Sequence, residues 1–442
     1  MQGLATTLAT SELIGRTGQV AAVRGHMIES TGPAAQIGER CRIEAGRSNE
    51  VLEAEVVGFN RGVTVLMPLG SVEGISSGDR VTALGQLPQI PVGSELLGRV
   101  VDPFGQPVDG GRDIMIERRR SLAALPPPAM SRQRVNMALE TGVKVIDSLL
   151  TLAKGQRVGL FSGSGIGKST LLGMMARGAR ARVNVIALIG ERSREVREFV
   201  EDQLGESGLQ RSVVVVATAD APAVVRSKAA YAATTIAEYF RDEGEDVLLL
   251  MDSLTRFAMA RREIGLAVGE PPTARGYTPS VFSELPRLCE RSGPGTGAGS
   301  ITGIYTVLVD GDDMNEPVSD TLRATLDGHI VLSRDIANSG QFPAVDVLQS
   351  MSRLHTAIGK PADLAAARRL LAACALYERN RQLIEIGAYK AGVSESLDRA
   401  VQLMPKIRGF LSQSLGQSTS RADSLAQLGK LASLLGVDND GT

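Results

Sequence analysis

The sequence predicts an α/β protein in three parts: a small N-terminal β-barrel, a central domain with a mostly parallel sheet, and a C-terminal helical domain. Short β-like runs separated by turn residues fill residues 18–85. From Gly142, apolar runs without polar alternation are separated by helix-length segments, which is typical of a sheet covered on both faces. Beyond Pro361 the strand patterns stop. We therefore expect domains at residues 1–87, 88–361 and 362–442.

The N-terminal part has the spacing of a small closed barrel, with about five or six short strands and turns rich in Gly, Pro, Asn and Ser. Its β-like runs cover residues 19–29, 40–45, 51–58, 63–68 and 80–84. Barrels of this size can bind nucleic acid by stacking bases on aromatic rings. Phe59, however, is the only aromatic residue between Met1 and Pro88. We therefore interpret the barrel as an assembly collar and expect no nucleic-acid partner.

The rest of the chain follows in order. Residues 88–128 form a connection punctuated by prolines, in which the charged cluster 117–120 is most simply a solvated loop rather than a binding patch. The central domain then supplies apolar runs at residues 158–161, 183–189, 213–217, 247–251, 304–309 and 329–332. In the C-terminal part, Ser420 and Asp423 have the spacing of a capping box ahead of a leucine-rich helix.

Composition excludes several classes of protein. The 48 basic and 49 acidic residues leave a formal charge of -1, so no global field draws the chain to nucleic acid or anionic lipid. Three widely separated cysteines argue against a disulfide framework or a zinc site. No basic segment followed by an apolar one opens the sequence, and no apolar run approaches the roughly 18 residues of a membrane span. We expect a cytoplasmic protein.

A glycine-rich turn between the apolar run 157–161 and a helical run organises the central domain. Such a turn directs backbone N–H groups and a helix dipole at one spot, which suits a polyphosphate. The expected binding residues are Ser162, Gly163, Ser164, Gly165, Ile166, Gly167, Lys168, Ser169 and Thr170. Lys168 would reach the β- and γ-phosphates, and the Ser169 hydroxyl would ligate Mg²⁺. The alternative is a turn that binds nothing, and Ser162 stands where the P-loop pattern has glycine.

Two acids end apolar runs that we expect to be strands of this sheet. Asp252 follows the run 247–251, so its carboxylate should lie at the sheet edge that carries the phosphate loop and could hold the magnesium shell. Glu191 follows the run 183–189, where a carboxylate could position or activate water near the γ-phosphate. Glu191 could equally cap the next helix, and spacing alone leaves both interpretations open.

Four motifs closely resemble those of the type III secretion ATPases, and the flagellar branch is the nearest. They cover residues 155–169, 189–199, 252–258 and 269–282, and the resemblance extends from about Gly18 into the C-terminal part. It implies a RecA-like core between the barrel and the helical domain. The catalytic subunit of rotary ATP synthases has the same domain arrangement. The resemblance also implies ATP as substrate and Mg²⁺ as cofactor.

The resemblance implies roles for five positions. Glu191 matches the carboxylate that polarises the attacking water. Arg192 and Arg256 match arginines that tie the site to the neighbouring subunit or to the carboxylates, and we expect Arg192 to be catalytic. Phe342 and Pro343 match the place where an aromatic ring stacks on adenine, although Phe342 alone would more often be a core residue.

Arg353 matches the arginine finger that one subunit supplies to the γ-phosphate of the next. A finger of this kind is worth about 10³–10⁵ in rate, so a monomer should be nearly idle and a hexameric ring should be active. The alternative is an arginine that forms a structural ion pair. Both remain open at the level of the sequence.

The function that the resemblance implies is Mg²⁺-dependent ATP hydrolysis by a homohexamer at the inner-membrane export apparatus, which releases chaperones and delivers substrates to the export gate. Implied partners are a negative regulator that acts as stator, a central stalk, and the chaperones with their substrates. Leu4 and Leu8 could begin an apolar face for the regulator. Alternatives are a virulence-type secretion ATPase, a rotary catalytic subunit, an RNA translocase or an inactive ring component. The segment 310–317 favours export over the rotary alternative.

Overall fold

A computed structural model describes residues 15–46, 50–309, 311 and 313–436. Leu4 and Leu8 lie outside the described residues, as do two of the eight residues in the segment 310–317. The three parts expected from the sequence are present: a closed barrel, a central sheet with helices on both faces, and a C-terminal set of helices.

The barrel consists of six antiparallel strands in the order β1-β2-β5-β4-β3-β6. These are β1 Thr17–Arg24, β2 Met27–Thr31, β3 Arg40–Ala45, β4 Glu50–Asn60, β5 Val63–Pro68 and β6 Arg80–Ala83. Alternate residues point inward, so that Ile28, Ile43 and Leu66 are fully buried in its core. The single run expected over residues 19–29 is instead a hairpin, because Gly25 adopts a φ of 59° and turns the chain between β1 and β2.

The central sheet follows the order β17-β16-β10-β15-β13-β11-β12-β8, and its pairs from β16 to β8 are parallel. The strands after the barrel are β7 Gln89–Pro91, β8 Arg99–Val101, β9 Arg119–Ser121, β10 Arg157–Ser162, β11 Val183–Glu191, β12 Ser212–Thr218, β13 Asp246–Asp252, β14 Gly293–Pro294, β15 Ser300–Leu308, β16 Gly328–Leu332 and β17 Met351–Ser352. Short strands β14 and β17 pair antiparallel with β15 and β16. All six apolar runs expected as core strands are strands of this sheet.

Helices cover both faces of the sheet. The α-helices are α1 Lys144–Leu149, α2 Lys168–Gly178, α3 Ser193–Glu198, α4 Gly205–Leu209, α5 Ala223–Asp242, α6 Leu254–Ala267, α7 Pro279–Glu290, α8 Pro317–Thr325, α9 Arg334–Asn338, α10 His355–Ile358, α11 Pro361–Glu385, α12 Glu395–Leu411 and α13 Arg421–Leu434. Helices α5, α6 and α7 contribute to the core on one face. Helices α1 and α2 share the other core with α11, α12 and α13, so the C-terminal helices are packed beside the helix that follows the phosphate loop.

Two local expectations have different outcomes. The Ser420 Oγ accepts from the backbone N–H of Asp423 at 3.1 Å and donates to the Asp423 carboxylate at 2.6 Å, so Ser420 is confirmed as the N-cap of α13. The prediction of a loop at residues 117–120 is wrong for Arg119 and Arg120, which belong to β9 and pair with β7. There Arg118 and Arg120 form ion pairs with the C-terminal end of α5 and lie over the ring of Tyr239, so this connection is fastened to the core domain.

In the part of the chain that the structure describes, none of the helices has the length and apolar character that crossing a bilayer requires.

Candidate active site

The phosphate loop joins β10 to α2. Gly165 and Gly167 have φ angles of 77° and 92°, a left-handed conformation that glycine adopts without strain. The α2 helix begins at Lys168, and Leu171 donates its backbone N–H to the Gly167 carbonyl at 3.0 Å. The loop thus places the free N–H groups of the first turn of an 11-residue helix at the carboxyl end of the parallel sheet, a suitable site for an anion.

Lys168, Asp252 and Glu191 meet beside this loop. The Lys168 Nζ donates to Asp252 Oδ1 at 2.5 Å and lies 3.5 Å from Glu191 Oε1. Thr306 donates its hydroxyl to the same Asp252 oxygen at 2.7 Å. The acids end β13 and β11, which are adjacent parallel strands, so the shared sheet edge brings them together.

Burial and charge shape the protonation of this cluster. Burial raises the pKa of Glu191 to about 7, and the neighbouring Asp252 carboxylate adds to that rise. Burial alone would lower the pKa of Lys168, but the carboxylates of Asp252 and Glu191 outweigh it and the pKa is raised. The ammonium group of Lys168, whose side chain is 11% exposed, therefore stays charged and is positioned to meet phosphate oxygens.

Glu191 does not cap the following helix. The N-cap residue of α3 is Arg192, and no side chain caps that end. Glu191 instead ends β11 and faces Lys168. The helix-capping interpretation is therefore wrong, and the carboxylate is directed at the phosphate loop.

The donor set fits Mg²⁺ bound together with phosphate. Ser169 is exposed in the first turn of α2, and Asp252 presents a carboxylate at the adjacent strand end. Among the described residues, no cluster of three or more His, Cys, Asp or Glu side chains could hold a metal ion. Because Mg²⁺ favours one or two protein oxygens together with phosphate and water, a hydroxyl and one carboxylate are a reasonable protein contribution.

Phe342 lies on the other side of the loop, next to an open cavity of about 590 Å³. Its ring is 3.8 Å from the position that a Cβ at Gly167 would occupy, and its side chain is 44% exposed. The core-residue interpretation is therefore wrong for Phe342, whereas Pro343 behind it is buried. Gln413, after α12, donates its backbone N–H to the Phe342 carbonyl at 2.8 Å. Sequence reasoning missed Gln413, because nothing in its surroundings indicates this contact.

The remaining arginines do not join the Lys168 cluster within one chain. Arg192 is 82% exposed, and its nearest acid is Glu195 at 3.6 Å. Arg256 packs its side chain against Gly190, where an added Cβ would lie 3.1 Å from the Arg256 Cβ. Arg192 therefore faces solvent, and Arg256 lies against the end of the strand that carries Glu191.

Arg353 lies at the opposite end of the sheet from the phosphate loop. It follows β17, which pairs with Gly328 at the start of β16, whereas Ser162 at the phosphate loop pairs with Leu332 at the end of β16. Four strand steps separate these rows, or roughly 13 Å along the sheet. The exposed Arg353 guanidinium donates to the Arg323 carbonyl at 3.3 Å and has no acidic partner among the described residues. The backbone of Arg353 is therefore remote from the phosphate loop of its own chain.

A glycine-rich loop before a helix, a loop lysine and two strand-end carboxylates define the nucleotide-binding site of a P-loop ATPase. Family models agree with this class along the chain. The β-barrel domain of the ATP synthase alpha/beta family matches residues 20–85, and the nucleotide-binding domain of that family matches residues 142–352. The T3SS EscN ATPase C-terminal domain matches residues 360–430.

Curated relatives cover nearly the whole chain. The flagellum-specific ATP synthase of Bacillus subtilis is 51% identical over 97% of this chain and 98% of its own length. The type 3 secretion system ATPase of Xanthomonas euvesicatoria is 48% identical over 95% of each chain. The chain belongs to the type III secretion and flagellum-specific ATPases of the ATP synthase alpha/beta family, and it is an ATP hydrolase.

Solved structures of the same family have the same fold. The assembled ATPase EscN of the enteropathogenic E. coli type III secretion system has a TM-score of 0.89 and 43% identity, and the match covers 94% of this chain and all of EscN as solved. EscN in complex with its central stalk EscO gives a TM-score of 0.85 at 42% identity over the same shares.

Proposed function

We propose that this chain hydrolyses Mg²⁺-ATP as a ring of identical subunits and thereby drives flagellar type III protein export. The observation that carries the proposal is the separation of two parts of one site. Lys168, Glu191 and Asp252 converge at one end of the sheet, while Arg353 is exposed at the other end. Two copies arranged head to tail would bring these parts together.

Each side chain has a role that its position supports. Loop N–H groups and Lys168 hold the phosphates, and Glu191 orients the attacking water and accepts its proton. Ser169 and Asp252 hold Mg²⁺, which neutralises charge on the phosphate oxygens. Arg353 of the neighbouring copy stabilises charge that develops on the γ-phosphate.

Binding of adenine is assigned to the cavity beside Phe342. The exposed ring offers a stacking face, and buried Pro343 and the bond from Gln413 to the Phe342 carbonyl hold its backbone. Arg192, exposed next to Glu191, and Arg256 are assigned to the contact between copies. This assignment extends the site from the phosphates to the whole nucleotide.

The flagellar assignment is supported by the 51% identity to a flagellum-specific relative. Virulence-type secretion is the second candidate, because a type 3 secretion system ATPase is 48% identical. The C-terminal match to the T3SS EscN ATPase domain supports either export function over a rotary catalytic subunit. Restored motility in a flagellated host that lacks its own export ATPase would support the flagellar assignment, and no restoration would favour the virulence type.

The proposed export function also implies partner proteins. A central stalk is proposed because EscN was solved with its stalk EscO. A hexameric ring, a regulatory stator, chaperones with their substrates, and the export gate at the cytoplasmic face of the inner membrane complete the proposal.

The test is Mg²⁺-ATP hydrolysis by the purified chain over a concentration series, with Glu191→Gln as control for contaminating activity. We expect the rate per protomer to rise with concentration and the variant to be silent. A wild-type rate that stays near zero at every concentration would contradict a self-sufficient ring.

A further inference from the structure

A set of partly buried hydrogen bonds holds the backbone just before Arg353 and at its amide. Three residues form it, and we name them the finger clamp: Gln156, Asp327 and Ser352. Gln156 is fully buried and immediately precedes β10, Asp327 immediately precedes β16, and Ser352 ends β17. All three lie at the end of the sheet that is remote from the phosphate loop.

The clamp holds the chain just before Arg353 and at its amide. Gln156 Nε2 donates to Ser352 Oγ at 3.0 Å and to the Asp327 carbonyl at 3.1 Å. The Ser352 hydroxyl in turn donates to the Thr151 carbonyl at 2.9 Å. The backbone N–H of Arg353 donates to the same Asp327 carbonyl at 3.0 Å. One buried amide therefore fixes both the strand that leads to Arg353 and the carbonyl that accepts its N–H.

Asp327 is itself held firmly. Its carboxylate accepts from the backbone N–H of Arg157 at 3.1 Å and from the Arg157 Nε at 3.0 Å. Gly328 allows β17 to approach, because a Cβ there would lie 2.6 Å from the Met351 carbonyl oxygen and 3.4 Å from Gln156 Nε2. The clamp is thus built on the first residues of β10, the strand whose other end carries the phosphate loop.

The guanidinium of Arg353 contrasts with this fixed backbone. It is exposed and donates only a 3.3 Å bond to the Arg323 carbonyl among the described residues. A fixed backbone with an exposed cationic tip is the arrangement expected of a group that must meet a partner outside its own chain. Preorganisation matters for such a group, since a misplacement of about 1 Å can cost roughly 100-fold in rate.

We infer that Gln156, Asp327 and Ser352 are positioning residues that set the placement of Arg353 in the neighbouring subunit's site. The inference rests on the proposed function of Arg353 and goes beyond it. It assigns to these three side chains in one copy an effect on hydrolysis in the next copy. Their own chain's phosphate loop lies at the far end of the sheet and should be unaffected.

The experiment measures that effect in mixed rings. Wild-type chain is mixed with an excess of a Glu191→Gln chain, whose own site is silent but which still supplies Arg353 to wild-type neighbours. The comparison is the same mixture made with Glu191→Gln/Ser352→Ala. Because the silenced copies contribute no turnover, any further change in rate reports on the wild-type sites that they serve.

We expect Ser352→Ala to lower the rate of the wild-type sites by roughly 10-fold to 100-fold, with an unchanged KM for ATP. The matched control is Glu191→Gln/Ser300→Ala, because the Ser300 hydroxyl makes one 2.7 Å bond to Asp246 at the same end of the sheet, on β15, which is three strands from β17. That control should leave the rate unchanged. Ring assembly is followed by light scattering for every mixture.

Two outcomes separate the inference from the proposed function. If Glu191→Gln/Arg353→Ala lowers the rate of the wild-type neighbours but Ser352→Ala does not, the clamp inference is overturned and the trans finger stands. If Arg353→Ala also has no effect on the neighbours, the trans finger itself is wrong. An equal loss with Ser300→Ala would likewise overturn a specific role for the clamp.

Discussion

The two ends of strand β10 differ in how completely their charges are matched. At its C-terminal end, the ammonium group of Lys168 lies between the carboxylates of Glu191 and Asp252. At its N-terminal end, Arg157 is paired with Asp327 and Glu290, yet the nearby Arg353 guanidinium has no acidic partner among the described residues. One end thus pairs its cation within the chain, and the other end presents its cation to solvent.

This difference is the basis for our proposal that the Lys168 cluster of one copy and Arg353 of another form one active site. Because β10 and β16 are parallel, the phosphate loop and Arg353 lie at opposite ends of these strands. In the proposed head-to-tail ring, every copy would supply Arg353 to one neighbour and receive Arg353 from the other.

The largest expected effect comes from removing the Arg353 guanidinium. Arg353→Ala should lower the maximal ATPase rate of the assembled chain by about 10³–10⁵, because the developing charge on the γ-phosphate loses its arginine. Steady-state phosphate release measures the loss. Arg353→Lys is the matched variant and should recover only part of the rate, since an ammonium lacks the planar fork. Full activity in Arg353→Ala would contradict a role for Arg353 in the active site of the neighbouring copy.

Next in size is the loss of the strand-end carboxylate. Glu191→Gln should lower turnover by about 10²–10⁴, because the amide cannot accept a proton from the attacking water. Lys168 keeps its Asp252 partner, so nucleotide affinity should persist when measured with a fluorescent ATP analogue. A variant that loses binding along with turnover would indicate that Glu191 only supports the loop.

A smaller effect is expected where the ring of Phe342 faces the cavity. Phe342→Ala should raise the KM for ATP about 5-fold to 150-fold with little change in kcat, because base stacking is worth roughly 1–3 kcal/mol. Phe342→Tyr keeps the ring and should retain a near-normal KM. A fall in kcat at unchanged KM would place Phe342 outside the adenine site.

The smallest expected effect is on pH dependence. Burial and then the Asp252 charge raise the pKa of Glu191 to about 7, and the base acts only when deprotonated. The kcat/KM should therefore fall as pH drops below about 7, approaching tenfold per pH unit. Ring assembly must be shown to stay constant over the same range. A flat profile from about pH 5.5 to 8.5 would argue against Glu191 as the base.

Much of the loop end could be predicted from the sequence because its information is local. Gly165, Gly167 and Lys168 follow one another, and the turn chemistry of each can be read directly. Apolar runs that end in an acid likewise placed Asp252 at the correct sheet edge. What the sequence left undecided was the direction of Glu191, because capping of α3 and the approach to Lys168 differ only in tertiary packing.

The position of Arg353 in the fold could not be predicted from the sequence. Arg353 is placed by β17, a two-residue strand that pairs antiparallel with β16 and is too short to leave a periodic pattern. The backing of Phe342 by Gln413 is similarly long-range, since the two residues come from different domains of the expected division. The family resemblance indicated both Arg353 and Phe342. Only the fold shows that Phe342 lies beside the phosphate loop and that Arg353 is distant from it.

The most direct test mixes two inactive variants, Arg353→Ala and Glu191→Gln, in equal amounts. A Glu191-containing site regains activity whenever its neighbour supplies Arg353, so about a quarter of the sites in randomly mixed rings should be complete. We predict that the mixture hydrolyses Mg²⁺-ATP at up to about a quarter of the wild-type rate, whereas each variant alone is nearly silent. A mixture no more active than the variants alone, in rings verified to be mixed, would contradict an active site shared between copies.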